Sequence, residues 1–181
     1  MIYINFHAPI NANTSQILMN TLSDVIMKGE KEIYLLFSSI GGNTVDGITL
    51  FNFIRALPAK IAMHNIGAVD SIANVVFLAG EERLAVPNSS FLFHGVGFDI
   101  TQPTRLEEKT LKERMVGIQR DTELIANIIT QRTKLSIEQV KTLFLEAQTK
   151  KPEEARSVGI IHAIAEAKIK EGTHIISLVL Q

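Results

Sequence analysis

Short apolar runs alternate with segments in which apolar positions recur every three or four residues along the first half of the chain. Ile2–Phe6 reads as a strand, and Asn13–Met27 comes next with Leu18, Leu22 and Ile26 at helical spacing. Ile33–Phe37 is almost wholly apolar, the pattern of a strand buried on both faces. Thr44–Leu57 reads as a helix ended by Pro58, Lys60–His64 as a strand, and Ser71–Ala79 as a helix ended by Gly80. Strands and helices alternating at these lengths predict crossover units in a parallel sheet.

The second half changes character. Leu84–Val86 and Phe91–His94 read as short strands, and Arg105–Arg132 as one long helix with Leu111, Met115, Ile118, Ile125 and Ile129 along a stripe. At ~1.5 Å per residue that helix would be roughly 40 Å long, so it either wraps the domain or projects from it. A projecting stripe needs a partner chain to cover it. Ser136–Leu145 is the next helix, with Ser136 as cap and Gln139 at the third helical position, then Pro152–Val158, stopped by Gly159. Ile160–Ile164 and Ile175–Leu180 are expected strands, the latter an edge strand or an inter-subunit contact. The five prolines (9, 58, 87, 103, 152) mark joints, and no segment has the composition of a linker. The whole chain, 1–181, reads as one domain.

Composition narrows the function. Hydrophobic residues make up 46% of 181, enough for a sizeable core. Charged residues are 20% and nearly balanced at −1, which argues against nucleic acid or an anionic membrane surface as partner. There is no cysteine, hence no disulfide framework and no thiolate site. The opening MIYINFHAPI lacks the features of a signal peptide, and no apolar run approaches the ~18 residues of a membrane span. The expectation is a soluble cytoplasmic protein.

Three loops carry candidate chemistry. Gly41-Gly42 come after a buried strand and precede a helix, where glycine lets the backbone turn tightly and present N–H groups. Asp70-Ser71 precede IANVVFLAG and read either as a helix cap or as a nucleophile at a helix start. His94 ends a strand and is followed by Gly95, Val96 and Gly97, where an imidazole can face a cleft. An alcohol, an imidazole and exposed N–H groups suffice for acyl transfer. His64, inside an apolar strand, reads as structural. His7, His162 and His174 show no metal-ligand spacing, so neither metal nor cofactor is expected.

Read together, these motifs resemble the Clp protease proteolytic subunit (ClpP) family of self-compartmentalising serine peptidases, from about Ile2 to Ile164. Ser39-Ile40-Gly41-Gly42 is similar to the family's serine–proline–glycine–glycine turn. Ile66-Gly67 precede Ser71 as in its nucleophile motif, and Pro87-Asn88-Ser89 precede the Phe91–His94 strand. Arg105–Arg132 looks like the family's handle helix, and Glu153-Glu154-Ala155 with Gly159-Ile160-Ile161 like its last helix and strand. The resemblance implies a fold of stacked ββα units, Clp protease/crotonase-like, with a long protruding handle. It implies Ser71 as nucleophile, His94 as general base, and the Gly42 and Ile72 N–H groups as oxyanion hole. It also implies self-association into a heptameric ring, commonly doubled to a tetradecamer, acting on peptides or unfolded polypeptides.

Several positions depart from the family's pattern. Its third catalytic residue, an aspartate, aligns with Ala147; Glu146 beside it is the expected stand-in. Asp70 replaces a small neutral residue, and would favour a protonated imidazole nearby or else cap the helix. His94 is followed by Gly95-Val96 rather than a polar residue and proline. The chain begins at the first strand, which leads us to expect weak or absent dependence on an ATPase unfoldase. Two other readings stand beside the peptidase. One is a ring-forming subunit without catalysis, favoured by Ala147 and Asp70. The other is a crotonase-type acyl-CoA enzyme, which shares the fold and would not need Ser71 and His94.

Overall fold

The computed structural model describes residues 1–98, 100 and 105–178. Pro103 and the end of the expected last strand, at 179–180, lie outside them. Among these residues eight strands form one sheet in the order β6-β5-β3-β2-β1-β8, with β4 on β3 and β7 on β4. The strands are β1 (Ile2–His7), β2 (Glu32–Ser39), β3 (Lys60–Asp70), β4 (Glu82–Ala85), β5 (Ser90–Leu92), β6 (Thr149–Lys150), β7 (Ala163–Ile164) and β8 (Ile175–Ser177). Every pairing is parallel except β5 with β6, as the crossover pattern predicts.

The first crossovers are α1 (Ala12–Met27), α2 (Thr44–Ala56) and the short α3 (Ala73–Phe77). Asn11 opens α1 through a capping box with Thr14, and Asn43 caps α2 through the Asp46 N–H. Stacked and tilted phenyl rings run from β1 to β5: Phe6 on Phe37 at 5.4 Å, Phe37 on Phe77 at 6.4 Å, and Phe77 edge-on to Phe91 at 5.3 Å. All four are fully buried, so the helix after Ser71 and the strand before His94 rest on the same apolar column.

β3 is longer than its sequence suggests. The apolar pattern predicts a strand over Lys60–His64, yet the strand runs on to Asp70. The register with β2 slips between Phe37 and Ser39, a bulge that absorbs the extra residues. The buried Asn65 side chain fastens it, donating to the Ser90 carbonyl at 2.9 Å and accepting from the Gly67 N–H at 2.9 Å. Past the bulge β3 exchanges β4 for β5 as neighbour, pairing Asp70 with Leu92. The bulge therefore delivers Ser71 beside the strand that leads to His94.

Three later helices follow among the described residues: α4 (Glu108–Arg132), α5 (Ile137–Glu146) and α6 (Pro152–Ser157). The Ser136–Gln139 capping box opens α5 as expected. The C-terminal half of α4 buries Ile125, Ala126 and Ile129, whereas Leu111, Met115 and Val116 of its N-terminal half stand exposed. The long helix thus projects. The expected strand Ile160–Ile164 shrinks to β7, because Ile160 and Ile161 turn into the core instead of joining the ladder. No described helix is long and apolar enough to cross a membrane.

Candidate active site

Ser71 and Ile72 form the turn between β3 and α3. Ser71 has φ +57°, the left-handed region that side chains other than glycine rarely occupy. This corrects the expected helix over Ser71–Ala79 and the capping role for Asp70-Ser71. A side-chain cap sits in extended backbone and accepts an N–H of the first turn. Here Ile72 occupies the cap position with no side-chain hydrogen bond. The Asp70 carboxylate instead accepts the Leu92 N–H at 3.3 Å.

Gly41 lies against this turn, and Gly42 beside it lies against Ile10. A Cβ on Gly41, at φ +85°, would stand 2.7 Å from Ser71 Cβ and 2.6 Å from the Asp70 carbonyl oxygen. One on Gly42, at φ +149°, would meet the Ile10 carbonyl oxygen at 2.1 Å. Only glycine allows both the backbone angles and the approach. Among the described residues neither the Gly42 nor the Ile72 N–H has a backbone partner. Both residues line a cleft of about 270 Å³ together with Ser71 and His94.

The rest of that cleft is chiefly apolar, with Val96, Phe98, Ile125, Ile129 and Phe144 on its walls. α4 and α5 supply one side of it, so the projecting helix is anchored at the site. The Arg114 guanidinium lies 4.5 Å over the Phe98 ring and holds that wall from the free half of α4.

His94 continues the line of β5 and is exposed. The Phe93 N–H donates to the Gln148 carbonyl at 2.9 Å and the Gly95 N–H to the Phe144 carbonyl at 3.1 Å, so the segment is held on both sides of the imidazole. His94 Nδ1 stands 2.8 Å from the Gly95 carbonyl oxygen. A carbonyl can only accept, so Nδ1 carries the proton in this contact and Nε2 is left with a free lone pair. Ser71 and His94 share the cleft with no hydrogen bond between them among the described residues.

The acid position is the weak corner of the site. Ala147 stands where the resemblance expects an aspartate, and it adopts the left-handed region at φ +49°. The Glu146 carboxylate accepts the Gln148 side-chain amide and is exposed, while His94 Nδ1 faces Gly95. No hydrogen bond joins Glu146 to His94 among the described residues. Asp70 is the carboxylate adjoining Ser71. Burial raises its pKa, opposed by the Leu92 N–H and by the nearby His94 charge.

His64 is structural, as expected from its apolar strand. It is fully buried between the Tyr34 hydroxyl, 2.5 Å from Nδ1, and the Ala165 carbonyl oxygen, 3.0 Å from Nε2. Asn74, which no motif marks out, is buried against the Ser71 turn. Its one signal is an amide inside the otherwise apolar stretch after Ser71.

A sequence model described as Clp protease matches residues 2–168. An ATP-dependent Clp protease proteolytic subunit 1 from Bacillus cereus is 29% identical over 147 residues, 77% of this chain and 71% of that one. An ATP-dependent Clp protease proteolytic subunit 2 from Treponema denticola is 35% identical over 80 residues, 43% of this chain and 38% of its own. The solved structure of a ClpP1 point mutant from Listeria monocytogenes superposes with a TM-score of 0.80 over 92% of each chain, at 22% identity. That likeness shows the fold.

Proposed function

Because this chain belongs to the Clp protease family, we propose that it is a serine endopeptidase acting on peptides or unfolded polypeptide segments, without a cofactor. The observation that carries this is Ser71 itself. It is held in a left-handed turn between Gly41, where no Cβ fits, and a histidine-bearing strand, in a cleft it shares with Gly42 and His94.

In this reading the Ser71 hydroxyl attacks the scissile carbonyl while His94 Nε2 takes its proton. The carbonyl oxygen becomes an oxyanion held by the Gly42 and Ile72 N–H groups. The intermediate collapses as His94 returns the proton to the leaving amine, and Ser71 keeps the acyl group. Water, deprotonated by His94, then adds to the acyl carbon, and Ser71 leaves with that proton. The apolar walls take up an apolar side chain of the substrate. The exposed half of α4 packs against other copies, assembling the subunits into rings, a heptamer or a stacked pair.

Ala147 and the Glu146–Gln148 contact favour a second reading, a ring subunit with the fold but without catalysis. Fluorophosphonate labelling of purified protein, read by intact mass beside Ser71→Ala and His94→Ala, separates the two. A single adduct that requires both residues supports the peptidase. Absence of an adduct from folded, assembled protein supports the silent subunit.

A further inference from the structure

We infer that Asn74 is a positioning residue that locks the nucleophile's turn to the histidine's strand; this rests on the serine peptidase reading above. Asn74 sits in the first turn of α3 among apolar neighbours and is 1% exposed. Its Nδ2 donates twice, to the Ser71 carbonyl at 3.1 Å and to the Leu92 carbonyl at 2.8 Å. The Leu92 carbonyl also accepts the Ser71 N–H at 2.8 Å. One amide therefore ties the residue that would attack to the strand ending, two residues past Leu92, in the residue that would take its proton.

Two further observations make this more than packing. With both amide hydrogens committed to carbonyls, Oδ1 faces the other way, buried and without a hydrogen-bond partner among the described residues. An apolar residue would escape that desolvation cost, so the donor pair is what the position needs. Ser71 also holds a backbone conformation that persists only where its surroundings over-determine it, and Asn74 is one such restraint. The His94 ring meets a backbone carbonyl rather than a carboxylate, so its alignment with Ser71 falls to these backbone ties.

The test measures fluorophosphonate capture at Ser71 and peptide hydrolysis for wild type, Asn74→Ala, Asn74→Leu and Asn74→Ser, with thermal midpoint and assembly recorded for each. Leu keeps the bulk and removes the donors, whereas Ser can donate to one carbonyl. The expected result is a capture rate about 10- to 100-fold lower for Ala and Leu, with kcat lowered and KM within about two-fold of wild type. Ser recovers part of the loss. Leu serves as the comparison if Ala fails to fold. A folded, assembled Ala or Leu variant captured at the wild-type rate overturns the inference, as does a Ser variant no better than Ala. Wild type that is not captured overturns the peptidase reading, and this role with it.

Discussion

The Ser71 N–H donates to the Leu92 carbonyl at 2.8 Å, which fastens the turn carrying the alcohol to the strand carrying the imidazole. Gly41 closes the other side of that turn, with room for no Cβ. Gly41→Ala therefore pushes Ser71 away from its neighbours. Adduct formation should fall by about 100-fold, and stability by about 2 kcal/mol from the left-handed backbone and the overlap. Labelling kinetics and denaturant unfolding check the two effects separately.

Much of this architecture is written locally. Leu18, Leu22 and Ile26, the Ser136–Gln139 box and the apolar Ile33–Phe37 run each specify their element without distant help. The far half of β3 is not local: the apolar strand pattern stops at His64, and the extension to Asp70 depends on the buried Asn65 amide reaching Ser90. Two-residue β6 has no periodicity to read, and forms because Phe91 and Leu92 offer it an edge. At the site, Gly41-Gly42, Ser71 and His94 are legible as motifs, and they line or adjoin one cleft. The left-handed turn at Ser71 is not legible, because tertiary hydrogen bonds from Ser71 and Asn74 to Leu92 impose it over the helix propensity of the apolar residues 72–79.

Asp70 carries a pH signature. Burial raises its pKa above the ordinary 3.8, so the folded protein holds this proton more tightly than the unfolded chain does. Stability is then lost as pH rises from 3.8 through the folded value. Asp70→Asn keeps an oxygen for the Leu92 N–H and removes the charge. The variant should unfold at higher denaturant than wild type near neutral pH, with the gap narrowing as the carboxylate of wild type becomes protonated in acid. A gap independent of pH would contradict the assignment.

The acid corner allows a paired test. Glu146→Gln should leave the labelling rate within about two-fold, since its carboxylate serves Gln148 and not His94. Ala147→Asp should raise the rate at least about ten-fold by giving the imidazole a carboxylate. It should fold without penalty, because aspartate tolerates the left-handed region better than alanine. Loss of labelling in Glu146→Gln would restore Glu146 as the third residue.

Arg83 holds the far side of the fold. It is 5% exposed, and its guanidinium donates to the carbonyls of Ile160 at 2.7 Å and of Gly80, Arg132 and Gly159, each at 3.1 Å. One residue thereby pins β4, the end of α4 and the α6–β7 turn. Lysine has neither the fork nor the number of donors. Arg83→Lys should lower stability by about 3 kcal/mol through unpaired carbonyls, a fall in Tm of roughly 6–12 °C for a chain of this size. Differential scanning calorimetry reads it.

The handle sets the last expectation. α4 divides at about its middle: Ile125 and Ile129 reach the core, while Met115 and Val116 are 52% and 65% exposed. Apolar side chains kept that open along a projecting helix are stable in water only at a modest cost, which association removes. Met115→Glu adds a charge to the exposed half without touching the cleft-lining Ile125 or Ile129. The variant should keep the wild-type far-ultraviolet circular dichroism yet scatter light as a smaller species, with a dissociation constant raised at least about ten-fold, or about 1.4 kcal/mol. An unchanged mass at micromolar concentration would mean that this face is not where copies meet. A monomeric wild type would remove the ring from the proposal while leaving the chemistry of Ser71 to be judged by its own adduct.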